Sequence, residues 1–117
     1  TSTSWPSTPR GYRSISIEMR PIHLARLDKT RPVLVLTREL VRPYLRRVTV
    51  APITSTVRGL STELAVGVRN GLDHESVASL DNIVTIPVAD LGRQQGFLHP
   101  DQERDLANAI ATAFDLQ

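Results

Sequence analysis

The chain has 117 residues, 40% of them apolar, with a formal net charge of +2 and no cysteine. That length supports one hydrophobic core and not two. The lack of cysteine excludes disulfides and thiolate metal sites, and no apolar run approaches the ~20 residues that span a bilayer, so a single soluble, cytoplasmic domain is expected.

Residues 1–18 (TSTSWPSTPRGYRSISIE) are rich in Ser, Thr, Pro and Arg and show no core-forming period before Ile15 and Ile17. They are expected to form a flexible N-terminal extension. The only methionine, Met19, stands just before the first convincing strand, so the folded domain is expected over residues 19–117.

Short strands separated by turn residues follow. Pro21 to Leu27 alternates moderately, Pro32 to Thr37 is continuously apolar, and Arg47 to Ile53 alternates again. The unbroken Val33-Leu34-Val35-Leu36 run predicts a strand buried on both faces, whereas Val48 and Val50 predict one wet face. Arg38 to Leu45 reads as a linker or short helical turn interrupted by Pro43. Three more strands are expected at Thr62 to Val68, Ser76 to Leu80 and Ile83 to Val88, with Asn70-Gly71 marking a turn between the first two.

The period then changes. From Pro100 onward, Leu106, Ala109, Ile110, Ala113 and Phe114 recur at spacings of three and four, which predicts an amphipathic helix. Pro100 suits its first turn and Asp101 and Glu103 favour the positive end of its dipole, while His99 is a poor cap. Six strands and a terminal helix predict a mainly β fold with α, a small half-open barrel carrying the helix against it.

Charge is unevenly distributed. Between Arg26 and Arg58 eight basic residues face two acidic ones, while residues 59–99 and 100–117 each carry −3. A basic third of this kind suits a polyanion such as RNA, because Arg forks match phosphate oxygens. It also fits a surface that is merely solvated, and thirteen of the fourteen basic residues are Arg, a bias that base composition alone can produce.

Within that segment Arg31 opens the most buried strand, and Pro32 pushes it toward an extended backbone, a stiff mount for a phosphate clamp. A solvated strand end is the plainer reading. Thr54, Ser55 and Thr56 beside Arg58 place three hydroxyls at the end of another strand, where they can hold phosphate oxygens or simply make a turn. His23, His74 and His99 lack metal-ligand spacing, so no metal or other cofactor is expected, although an acid–base His pair stays open. Ser76, Ser79, Asp81 and Asn82 read as strand and turn chemistry.

Four segments in order carry a family resemblance: Arg-Pro-Val-Leu-Val-Leu from Arg31, Val-Ala-Pro-Ile-Thr-Ser from Val50, Ser-Val-Ala-Ser-Leu-Asp-Asn-Ile from Ser76, and Leu-Gly-Arg with Gly-Phe-Leu before the final helix. From Met19 to about Leu116 the chain resembles the MazF/PemK family of toxin endoribonucleases, its mycobacterial members in particular. The resemblance implies an SH3-like barrel of the CcdB/PemK type with a C-terminal helix, a homodimer, and the toxin half of a type II toxin–antitoxin system. It implies metal-independent, sequence-specific cleavage of single-stranded RNA, messenger RNA and for some members ribosomal or transfer RNA, which stops translation and growth. Attack by the ribose 2′-OH would leave a 2′,3′-cyclic phosphate and a 5′-OH, and a MazE-like antitoxin would hold the toxin in check. By position, Arg31 and Thr54 are the implied catalytic residues and Ser55 a supporting one. Arg26, Lys29, Arg46, Arg47, Thr56 and Arg58 are then candidates for tracking the RNA backbone.

A guanidinium stays cationic and cannot act as a base, so Arg31 is expected to stabilise charge on the phosphorus, with Thr54 donating to a phosphate oxygen. The chain departs from the family pattern in having only Asp28-Lys29-Thr30 between Leu27 and Arg31, where relatives carry a long covering loop. An open groove that admits structured RNA is the expected consequence. Two other readings share the barrel: a CcdB-like toxin that binds a topoisomerase, and a non-catalytic SH3-like module for RNA or protein.

Overall fold

The computed structural model describes residues 19–37 and 46–116. The expected extension at residues 1–18 and the expected linker at residues 38–45, with Arg38, Arg42 and Pro43, lie outside the described residues.

The described residues form seven strands: β1 (Pro21–Arg26), β2 (Thr30–Val35), β3 (Arg47–Thr54), β4 (Glu63–Val66), β5 (Ser76–Ser79), β6 (Val84–Pro87) and β7 (Leu91–Phe97), followed by helix α1 (Glu103–Ala113). Every pairing is antiparallel, and the strand order is β4-β5-β3-β2-β1-β7. β3 is the pivot: its free edge pairs with β6 over Arg47 to Val50 and with β5 over Ile53 and Thr54. Switching partners halfway along one strand bends the sheet on itself. β4 and β7 are not paired with each other, so the barrel stays half open. Asn70 spans the gap instead, its Nδ2 donating to the Phe97 carbonyl at 2.8 Å and to Gln102 Oε1 at 2.7 Å.

The continuous apolar run in β2 does lie buried on both faces, with Val33, Leu34 and Val35 at most 1% exposed. Leu34 points into a core with Ile22, Ala51, Leu64, Leu80 and Leu106, while Val33 and Val35 join Ala25, Val48, Val50 and Ile86 on the other side. Removing such side chains from water contributes roughly 1.5–3 kcal/mol each, which makes the central strands a stiff base for whatever their ends carry.

Six strands were expected and the seventh is the correction. β7 (LGRQQGF) has no apolar alternation and no fully buried residue, because it is an edge strand held chiefly by its backbone to β1. α1 is preceded by a 3₁₀ turn, Pro100 to Gln102, and packs Leu106 and Ala109 into the first core with Ile110 and Ala113 half-buried. Phe114, counted in the apolar stripe, falls just past the helix and is 57% exposed. The Asn70-Gly71 turn is not a tight hairpin: Asn70 closes a 3₁₀ turn and Gly71 follows with φ 91°. Among the described residues no helix is long and apolar enough to cross a membrane.

Candidate functional site

A proline opens the site. β2 and β3 pair from Val35 opposite Val50 to Val33 opposite Pro52, and the ladder stops there. Pro32 has no N–H to continue it. Carried two residues further, the same register sets Arg31 against Thr54, and both side chains belong to the sheet face of Val33. The strands are thus free to part where these two residues stand.

Arg31 and Thr54 both line two adjoining cavities, of about 630 Å³ and about 320 Å³. They form the waist between them. The larger cavity is walled by the segment after β3 and by the end of β5, with Thr56, Arg58, Glu63, Ser79, Asp81 and Asn82. The smaller lies toward the loop before β5 and toward β7, with Lys29, Ser55, Leu72, His74 and Gln95 among its walls.

The two central side chains are held with hydrogen-bonding capacity to spare. Arg31 Nη2 donates to Asp28 Oδ2 at 3.1 Å across the tight β1–β2 hairpin, and its Nε is buried without a partner. Its side chain is 23% exposed against 74% for Asp28, so the cation is fixed and the anion wet. Thr54 Oγ1 accepts the Thr56 N–H at 3.1 Å, a local turn that sets its rotamer and leaves the hydroxyl proton to donate elsewhere. A guanidinium N–H without a partner and a hydroxyl proton, on two residues that line one cleft, are donors of the kind phosphate oxygens accept.

The carboxylates around the larger cavity are mostly committed. Glu63 takes the N–H groups of Arg58, Gly59 and Leu60 at 3.2, 2.9 and 3.1 Å, which folds residues 58–63 into a compact turn and keeps Arg58 at the rim. Asp81 accepts the Thr62 hydroxyl at 2.5 Å, and Asn82 donates to Ser79 Oγ at 2.8 Å.

The sequence-predicted residues divide clearly. Arg31, Thr54, Ser55, Lys29, Thr56 and Arg58 line one or both cavities. Arg26, Arg46 and Arg47 line neither; Arg46 and Arg47 sit at the start of β3, seven or eight residues and roughly 20 Å or more of strand from Thr54. Of the histidines, His74 lines one of these two cavities and the others line neither; His23 Nδ1 lies 2.9 Å from the Gly92 carbonyl and His99 Nε2 2.7 Å from that of Arg69. Sequence reasoning set aside Ser79, Asp81 and Asn82 as turn chemistry, and they wall the larger cavity. It missed Gln95, for which no motif or period gave a signal. Among the described residues no group of three or more His, Cys, Asp or Glu is placed to hold a metal ion.

Comparison with known proteins gives a consistent result. The model of a family described as PemK-like, MazF-like toxin of type II toxin–antitoxin systems matches residues 17–114. The chain is 66% identical over 98 residues to the endoribonuclease MazF3 of Mycobacterium tuberculosis, covering 84% of this chain and 95% of that protein. It superposes on the solved structure of the Mycobacterium tuberculosis toxin MazF-mt6 with a TM-score of 0.82 at 65% identity, over 84% of this chain and 99% of the other. A mycobacterial endoribonuclease solved in complex with its cognate antitoxin gives a TM-score of 0.74 at 26% identity, over 83% of this chain and 93% of that one.

Proposed function

The chain belongs to the PemK-like, MazF-like toxin family of type II toxin–antitoxin systems, and from that premise we propose that it is an endoribonuclease cutting single-stranded RNA at the waist between the two cavities, with Arg31 and Thr54 as catalytic residues. The observation that carries this reading is that Arg31, with an unmet buried Nε–H, and Thr54, with a free hydroxyl proton, wall the same cleft.

A strand of RNA threading the cleft would place one phosphodiester at the waist. The 2′ oxygen of the preceding ribose attacks phosphorus and the bond to the 5′ oxygen breaks. The hydroxyl loses its proton and the leaving oxygen gains one, so the products are a 2′,3′-cyclic phosphate and a 5′-OH. Arg31 and Thr54 donate to the non-bridging oxygens as negative charge builds there, where preorganised donors are worth most. A dinegative phosphorane also matches the Nε and Nη2 edge of a guanidinium, two parallel donors in a fixed plane. Arg31 would exchange its Asp28 contact for the phosphate. No step calls on a metal.

Lys29 and Arg58, at the rims of the smaller and larger cavities, are the backbone-tracking residues this geometry favours; Ser55 supports the waist. We further propose a homodimer and a MazE-like antitoxin that lays an acidic, apolar extended segment over the groove. Val57 and Leu60, 58% and 48% exposed beside Arg58, offer the apolar half of that contact. The decisive test of the chemistry is an oligoribonucleotide with a single cut site, compared with the same oligomer carrying one 2′-deoxynucleotide on the 5′ side of the cut. Cleavage of the first to a cyclic phosphate and full resistance of the second is the expected result; cleavage of both would mean that water or another nucleophile attacks.

A further inference from the structure

Among the described residues two buried polar side-chain atoms have no hydrogen-bond partner, Arg31 Nε and Gln95 Oε1, and both residues line the smaller cavity. A phosphate accounts for the first. The second is an acceptor withdrawn from water with nothing to accept, a cost the free protein carries and a ligand would relieve.

The fold places this amide deliberately. In the β1–β7 ladder Ile22 faces Gly96 and His23 faces Gln94, so Gln95 is the extra residue of a bulge. Bulges re-aim side chains that regular pairing would fix. The bulge is clamped from outside by Gly71, whose φ of 91° and missing side chain let it lie against the Gln95 carbonyl; a Cβ there would overlap that oxygen. The next residue, Leu72, forms a wall of the same cavity, with Leu24 and Ile53. About 320 Å³ in which these apolar side chains stand beside one unmet amide and a polar rim that includes Asp73, His74 and Ser76 fits a single flat, polar-edged ring.

We propose that this cavity is a nucleobase subsite for the nucleotide next to the scissile phosphate, and that Gln95 is the residue that reads the base. Its Oε1 accepts a hydrogen bond from an N–H on the base edge while Leu24, Ile53 and Leu72 take the ring. The proposal rests on the RNA-cleaving reading above, since the shared wall of Arg31 and Thr54 is what ties base to phosphate. A base that presents no N–H at that point leaves the amide unmet and is rejected.

The test digests a long unstructured RNA with wild type, Gln95→Met and Gln95→Glu and sequences the new ends. Wild type is expected to show a strong preference at one position adjoining the cut. Gln95→Met, close to the same shape, should flatten the preference at that position by about tenfold and leave the other positions unchanged. Its melting temperature should not fall, because an unpaired buried acceptor has been removed. Gln95→Glu, with acceptors only, should retain a preference for bases that donate. Unchanged preferences in both variants, or a uniform slowing at every site, overturns the subsite while the nuclease reading stands. Failure of the wild type to cut any RNA overturns both.

Discussion

A guanidinium that is three-quarters covered, bound to Asp28 through Nη2 and left without a partner at Nε, is the unit from which this site is built. Arg31 is fixed by Pro32 behind it and Asp28 across the hairpin, so it loses little side-chain freedom on meeting a phosphate. Thr54 differs in that its contribution is one proton. Thr54→Val keeps the shape and removes the donor, and should lower the single-turnover cleavage rate on the order of a hundredfold while RNA affinity changes little; an equal loss in affinity would make Thr54 a binding residue. The sequence singled out both residues only through the family resemblance, because an Arg at a strand end and a Thr in a turn are ordinary on their own. The structure adds that they share a cleft, which is what supports the proposed roles. Gln95 shows the opposite case: its role depends on a one-residue register shift against β1, and such a shift leaves no trace in residue type or period.

At the scale of elements, runs with strong periodicity were read correctly and the edge was not. β2 and α1 are driven by apolar burial, which writes itself into spacing. β7 is held by backbone hydrogen bonds to β1 and by close approach to the turn at Asn70 and Gly71, neither of which needs apolar side chains. The second of its two glycines, Gly96, is therefore the sensitive point. A Cβ at Gly96 would overlap the Asn70 carbonyl, and Gly96→Ala should destabilise the fold by about 1–3 kcal/mol in urea unfolding. A loss below half a kcal/mol would show that the turn can retreat. The start of α1 gives a pH-dependent prediction. A hydrogen bond from Arg69 holds the Asp101 carboxyl below its ordinary value of 3.8. A depressed folded value adds stability that is present above that ordinary value and is lost as pH falls through the lower one. Asp101→Asn should thus melt slightly below wild type at neutral pH, and the gap should close below about pH 4; a gap that widens in acid would contradict the assignment.

For the molecule as a whole, charge asymmetry and topology act together. Among the described residues, the basic side chains of the central segment that line the groove are those delivered by β1–β2 and by the chain just after β3, so Lys29, Arg31 and Arg58 arrive and Arg46 and Arg47 do not. Counting charges along the chain marked out a basic third; it could not say which charges share a surface, because that depends on strand direction. Three residues join β1 to β2, and in the proposed function so short a hairpin leaves room beside the cleft for a flexible polymer. All of this converges on one test: the rate at which a defined single-stranded RNA is cut in excess EDTA by the wild-type protein and by Arg31→Ala, with the folded state of each verified by its melting curve. The structure predicts sustained cutting by the first and a loss of a hundredfold or more by the second at unchanged fold; undiminished activity in folded Arg31→Ala would contradict it.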